Sequence, residues 1–358
     1  MKKILYTLTA ALIFPLCALY AAPQKSPAQK DRLQVVTSLP DYAFLTERLG
    51  ADRVNVKAIV RGDQDAHFIR PKPSFATSLR DADVLVTTGL DLELWIQTVI
   101  DHSGNSKIRS GQSGYVSAAT GIKLLEKPKI ISRVEGGVHI HGNPHITCSP
   151  LNMKKVAQNI STGLIKNDPA GRQVYLENLK KLNLQIDKCL FGAELVEILG
   201  GDTLCSLVET NRLIPFLKKQ KYEGKPLIEF LGGWMKKMLP LRGTPIVTYH
   251  KNWIYFVRIF GLEEAGTVEP RPGIPPTPKH VTGLISLIRE RDIKIILAAN
   301  YFDEQKIKTV ASRTNAEAVI VPLYVGGAED IDSYFELVDY WVDELLKAAE
   351  KKGLIKKS

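Results

Sequence analysis

Val54-Asn55-Val56-Lys57-Ala58-Ile59-Val60 alternates apolar and polar side chains with the period of a β-strand, and Ala82-Asp83-Val84-Leu85-Val86-Thr87-Thr88-Gly89 supplies a second, more apolar run further on. Between them Pro71-Lys72-Pro73-Ser74 opens a helix. Upstream, Leu33-Gln34-Val35-Val36-Thr37-Ser38 reads as a short buried strand ended by Leu39-Pro40, and Asp41 to Leu49 as a helix stopped by Gly50. Strands that alternate with helices imply a parallel sheet, and such a sheet places its chemistry on the loops at the C-terminal strand ends.

The same alternation continues along the chain. Leu94 to Ile100 is expected to be helical, Val116 to Ile122 weakly strand-like, and Lys127 to Gly137 an irregular loop. A helix runs from Ser149-Pro150-Leu151 to about Lys166, and Asn167-Asp168-Pro169 interrupts it. Ala170 to Leu190 has no glycine or proline after Gly171 and reads as one long, semi-rigid helix that limits hinge opening. Phe191 to Arg242 carries helical runs at Glu194 to Leu199, Leu207 to Lys219 and Ile228 to Met238, with no legible role. Pro245 to Tyr249, Ile293 to Ala299 and Ala318 to Pro322 are strands; Trp253 to Phe260, Val281 to Arg289, Glu304 to Arg313 and Asp330 to Lys351 are helices.

The fold expected is therefore α/β: two similar lobes, each a mostly parallel sheet flanked by helices, joined by one long connecting helix with a cleft between them. The boundaries are a leader at 1–22, an N-terminal lobe at 33–166, the connecting helix at 167–190 and a C-terminal lobe at 191–352.

Composition narrows the function. The chain has 358 residues, 44% hydrophobic and 24% charged, enough for a large core. Met1-Lys2-Lys3, the apolar run Ile4 to Tyr20 and Ala21-Ala22 form a secretory signal. Cys17 offers a lipid-attachment alternative, but Phe14-Pro15-Leu16 lacks a small residue just before it, so cleavage near Ala21 or Ala22 and a soluble extracytoplasmic protein rank first. That compartment is oxidising, which makes Cys189 with Cys205 a candidate disulfide and leaves Cys148 as a buried thiol. A formal charge of +10 raises nucleic acid as a partner, yet the basic residues are dispersed and no recognition motif accompanies them, so none is expected.

Three of the seven histidines lie in Val138-His139-Ile140-His141-Gly142-Asn143-Pro144-His145. His67, in Asp65-Ala66-His67-Phe68, and His250, in Val247-Thr248-Tyr249-His250, each follow a strand. Neutral imidazole is the commonest protein ligand for zinc, so His67, His145 and His250 are read as converging on one divalent ion. His139 and His141 form either a metal-collecting or a merely solvated loop, and His102 and His280 are surface residues.

Asp65-Ala66-His67-Phe68-Ile69-Arg70-Pro71, Asn143-Pro144-His145-Ile146, and Tyr249-His250 followed by Tyr255-Phe256 and Phe260-Gly261-Leu262 resemble the three metal-binding signatures of the zinc- and manganese-specific substrate-binding proteins of bacterial ABC transporters. Pro272-Gly273-Ile274-Pro275-Pro276-Thr277-Pro278 and the helix start Asp332-Ser333-Tyr334 are similar to that family's as well. The resemblance implies His67, His145 and His250 as ligands, the ion in the cleft, and a membrane permease as partner of a monomeric receptor. A histidine in the third position points to Zn²⁺ ahead of Mn²⁺, since manganese prefers oxygen donors. Where many relatives carry an acidic residue, this chain reads Ala298-Ala299-Asn300, which leaves Asp303, Glu269 or water as the fourth donor.

These readings predict a periplasmic zinc receptor, not an enzyme, with an affinity that falls as pH drops through the imidazole range. A zinc hydrolase would need a general base such as that of a His-Glu-x-x-His helix, which is absent, and an adhesin with a structural metal is the third reading.

Overall fold

The computed structural model describes residues 32–127, 139–271 and 273–356; the leader and Cys17 lie outside them. Strands β1 (Leu33–Thr37), β2 (Val54–Ala58), β3 (Val84–Thr87) and β4 (Tyr115–Ser117) form a parallel sheet in the order β2-β1-β3-β4. Helices α1 (Pro40–Gly50), α2 (Pro73–Arg80) and α3 (Ile96–Ser103) connect them, and α4 (Pro150–Asn167) follows the histidine-bearing loop. Pro40 and Pro150 sit in the first turns of α1 and α4, where their missing N–H costs nothing, and the Ser149 side chain caps α4 by accepting from Asn152 N.

The connecting helix is α5 (Arg172–Phe191), preceded by a 3-10 turn at Pro169–Gly171. Its start is fixed by Asp168, which accepts from both Arg53 Nε (2.7 Å) and Nη2 (2.8 Å) and from Tyr175 Oη (2.6 Å). α5 packs on α1 and α4 on one side and on α9 (Gly233–Met238) on the other.

Between α5 and α9 the chain folds into α6 (Ala193–Leu199), α7 (Gly201–Glu209), α8 (Leu213–Lys219) and a small antiparallel hairpin, β5 (Lys221–Tyr222) with β6 (Lys225–Pro226). The single helix expected over Leu207 to Lys219 is broken because Asn211 takes a left-handed φ of 57°. Cys189 and Cys205 are free thiols, so the expected disulfide is absent. Cys205 Sγ instead lies 3.5 Å from both Lys154 Nζ and Asp187 Oδ1.

The second sheet has the order β10-β9-β7-β8, all parallel, from β7 (Pro245–Thr248), β8 (Glu263–Thr267), β9 (Ile295–Ala299) and β10 (Glu317–Val321). Helices α10 (Ile254–Phe260), α11 (Pro278–Glu290) and α12 (Glu304–Ser312) connect these strands, and α13 (Tyr334–Lys351) closes the fold behind a Ser333/Glu336 capping box. Along β9, Ile295, Leu297 and Ala299 face one apolar core while Ile296 and Ala298 face another, the period of two of a strand buried on both sides.

The first of those cores continues without a break into the N-terminal sheet, taking in Val35, Leu85, Tyr42, Trp253 and Trp341. Polar contacts also cross: Tyr334 Oη donates to Thr147 O at 2.6 Å. Gly62, on the loop after β2, sits so close to Val325 and Gly327 that a Cβ there would fall 2.3 Å from their backbone atoms. Among the described residues no helix is long and apolar enough to cross a membrane.

Candidate metal centre

The loops after β2, β4 and β7 open at the C-terminal strand ends and bring four imidazoles together. His67 lies in a 3-10 turn (Ala66–Phe68), His145 just before the 3-10 turn Ile146–Cys148, and His250 just before the 3-10 turn Lys251–Trp253. His139 joins them from the loop ahead of His145. One ring nitrogen from each of the four lies within 4.8 Å of all the others. Ring centroids are 5.1 Å apart for His67 and His145, 5.9 Å for His67 and His250, and 5.8 Å for His145 and His250.

Three of the rings are held by the same device. Asp65 Oδ1 accepts from His67 Nδ1 at 2.7 Å and from His67 backbone N at 3.0 Å. Asn143 Oδ1 does the same for His145, at 2.9 Å and 3.0 Å. The His250 Nδ1 donates to Glu269 O at 2.8 Å. An acceptor at Nδ1 places the proton there and leaves Nε2 as a bare lone pair. The Nε2 atoms of His145 and His250 are buried and have no hydrogen-bond partner. A lone pair buried without a donor is costly unless something else fills its place.

One nitrogen–nitrogen separation matches that around a small tetrahedral cation. Zinc–nitrogen bonds of about 2.0–2.1 Å in a tetrahedron put neighbouring nitrogens about 3.3–3.4 Å apart. His67 Nε2 and His139 Nε2 are 3.3 Å apart.

Burial, reinforced by the neighbouring rings, disfavours the charged form of His139, His145 and His250. It holds His139 at about 3 and His250 at about 4, against an ordinary 6.5, and His145 well below that ordinary value.

The sequence-predicted His67, His145 and His250 thus converge, and His139 joins them. Neither of the two carboxylates considered as fourth donors belongs to this group of four. Asp303 caps α12 through Gln305 N and Lys306 N, and Glu269 Oε1 accepts from Gly273 N. His141 stays exposed, 3.8 Å from Asp91, and His102 is exposed on α3. His280 caps nothing in the site; its Nε2 meets Thr267 O at 2.9 Å. The repeated pattern of an Asp or Asn two residues before a histidine was visible in the sequence and signals a ring whose tautomer is fixed.

The family profile for the zinc-uptake complex component A, periplasmic (ZnuA), matches residues 35–190 and 228–348. Among relatives, the manganese ABC transporter substrate-binding lipoprotein PsaA of Streptococcus anginosus is 22% identical over 343 residues, covering 92% of this chain and 94% of its own. Among solved structures, a zinc-bound ZnuA deletion mutant superposes with a TM-score of 0.64 at 20% identity, over 89% of this chain and 98% of that one. A manganese-bound periplasmic metal-binding protein from Candidatus Liberibacter asiaticus gives 0.62 at 18% identity, over 90% and 100%. The profile match spans well over half of the chain, so this protein belongs to the ZnuA family and is a substrate-binding protein of a metal ABC transporter, a carrier and not an enzyme.

Proposed function

We propose that the protein captures Zn²⁺ outside the cytoplasm with His67, His145 and His250, joined by His139, and delivers it to a membrane permease. The observation that carries this reading is a group of four imidazole nitrogens, two on buried and two on half-buried rings, with no carboxylate in it. Three rings whose Nδ1 atoms are engaged by acceptors, plus a fourth, suit a borderline cation in tetrahedral coordination; manganese, which favours oxygen ligands, fits less well. The relatives named for manganese make this the point to test. Protein purified without chelator should carry about one zinc, a His67→Ala, His145→Ala, His250→Ala triple variant almost none. Zinc should also win when zinc and manganese are offered together. Preferential retention of manganese would refute the zinc assignment.

The receptor acts as a monomer in the periplasm, released there by cleavage of the leader at 1–22; the mass of the mature N-terminus distinguishes this from a lipid anchor on Cys17. Its working units are the lobes at 33–166 and 191–352, with the helix at 167–190 limiting their opening to a slight closure over the ion.

A further inference from the structure

Asn143 uses every polar atom it has. Its side-chain oxygen accepts from His145 N and Nδ1, and its side-chain nitrogen donates to Glu126 Oε2 at 2.8 Å and Lys251 O at 2.6 Å. Its backbone N donates to Leu125 O at 2.8 Å, and its backbone O accepts from Tyr255 Oη at 2.7 Å. The same phenol oxygen accepts from Leu125 N at 3.2 Å. The amide can take only one orientation, because a flipped one would set its N–H groups against the two donors of His145.

Two of these partners belong to the second lobe, on the segment that carries another ligand. Lys251 directly follows His250, and Tyr255 lies in the first turns of α10. The contact is mostly neutral: the one ion pair beside it, Lys251 with Glu126 at 3.1 Å, is half exposed and contributes little.

We propose that Asn143 is the positioning residue through which the second lobe holds a metal ligand of the first, so that parting the lobes at Lys251 and Tyr255 releases the ion. The inference rests on the metal-capture reading above. When the Lys251 carbonyl moves away, the Asn143 amide nitrogen keeps only Glu126 as an acceptor and its rotation is held less firmly. His145 then loses the acceptor on its Nδ1, and with it the tautomer that commits Nε2 to the ion. A permease that draws this one loop aside needs no direct contact with the metal.

The test is the rate of zinc loss from the loaded mature protein into excess chelator. Tyr255→Phe removes one oxygen, keeps the ring's packing and leaves the Asn143 side chain intact. It should still bind one zinc but release it about 10-fold faster or more. Asn143→Asp keeps an acceptor for His145 and loses the donor to Lys251, so it should release zinc as fast as Tyr255→Phe. In an Asn143→Ala background, adding Tyr255→Phe should change the rate by less than about 2-fold, because the relay is already gone. Release by Tyr255→Phe within about 2-fold of the wild type, or effects that multiply in the double variant, would overturn the proposal. Wild-type protein that holds no zinc would sink the capture reading itself, an outcome separate from zinc that is held but indifferent to Tyr255.

Discussion

Lowering the pH from 7 to 5 distinguishes this site from a set of ordinary histidines. A metal competes with protons for each ring, and an imidazole titrating at 6.5 loses about 25-fold in apparent affinity over that interval. Three such rings would together lose about 10⁴-fold. Burial instead holds His250 at about 4 and His139 at about 3, with His145 also far down. At pH 5 His139 and His250 are still mostly neutral, so these two add little to the loss, and the lowered His145 works in the same direction. The sequence alone pointed to a decline through the ordinary imidazole range; the buried geometry moves most of it down to between about pH 4 and 3. Competition titrations against a fluorescent chelator of calibrated pH dependence should give a loss well short of that roughly 10⁴-fold from pH 7 to 5. A loss approaching about 10⁴-fold would mean that the rings titrate as solvated imidazoles, and would refute the burial argued for the cluster. The metal-free protein has its own signature. Rings lowered in the folded state but ordinary in the unfolded chain contribute stability that is intact above about pH 6.5 and lost as pH falls towards 4 and below. Its melting temperature should fall over that window, and saturating zinc should oppose the fall.

Asp65→Ala removes the acceptor on His67 Nδ1 and should weaken zinc binding about 10- to 100-fold, measured by the same competition. His139→Ala should weaken zinc more than manganese, because water replaces a nitrogen donor; a zinc loss of about 10-fold corresponds to about 1.4 kcal/mol. The buried Asp41 carboxyl, at the start of α1, is pushed by burial to about 8 from 3.8. A raised value destabilises the fold progressively as pH climbs from about 4 to 8, so Asp41→Asn should gain stability over the wild type across that range, by up to a few kcal/mol in urea titrations. Trp341 is fully buried, donates to Pro322 O at 2.6 Å and meets Trp253 edge-on at 5.2 Å, so Trp341→Ala should cost about 3–5 kcal/mol by denaturant midpoint.

Much of the fold was legible because its strands are apolar and its helix ends are marked by proline, serine and glycine. Ile295–Ala299 and Val84–Thr87 announce themselves by composition. β8 does not. Glu263-Glu264-Ala265-Gly266-Thr267 has no apolar run, and it is a strand only because it pairs with β7, with Thr248 Oγ1 donating to a half-buried Glu264. The bonds that hold an edge strand of this kind are made by residues distant in sequence. The disulfide expectation failed for a related reason: spacing along α5 and α7 says nothing of where Cys189 and Cys205 point, and Cys205 turns towards Lys154 and Asp187.

The donor set shows where reading along the chain stops and folding takes over. His67 and His250 could be read because each follows a strand, and His145 because it ends the histidine-rich Gly- and Pro-containing loop. The fourth donor was sought by the same logic after β9, where Asn300 stands in place of an acid. There the Asn300 side chain donates to Gly327 O at 2.7 Å, binding one strand-end loop to another, and Asp303 is spent as a helix cap. Among the described residues it is His139 that completes the group of four, and its neighbours in sequence carry no periodicity. Asp91 Oδ2 accepts from Ile140 N at 3.0 Å on one side, and the Asn143 bonds to Leu125, Lys251 and Tyr255 set the other. Exchanging an oxygen donor on a strand end for a nitrogen donor on a loop changes two properties together. It moves the site towards the nitrogen-rich chemistry that favours zinc. It also places one donor on the loop that Asn143 ties to Lys251 and Tyr255, so that, by the relay proposed above, the exit of the ion and the parting of the lobes become a single event.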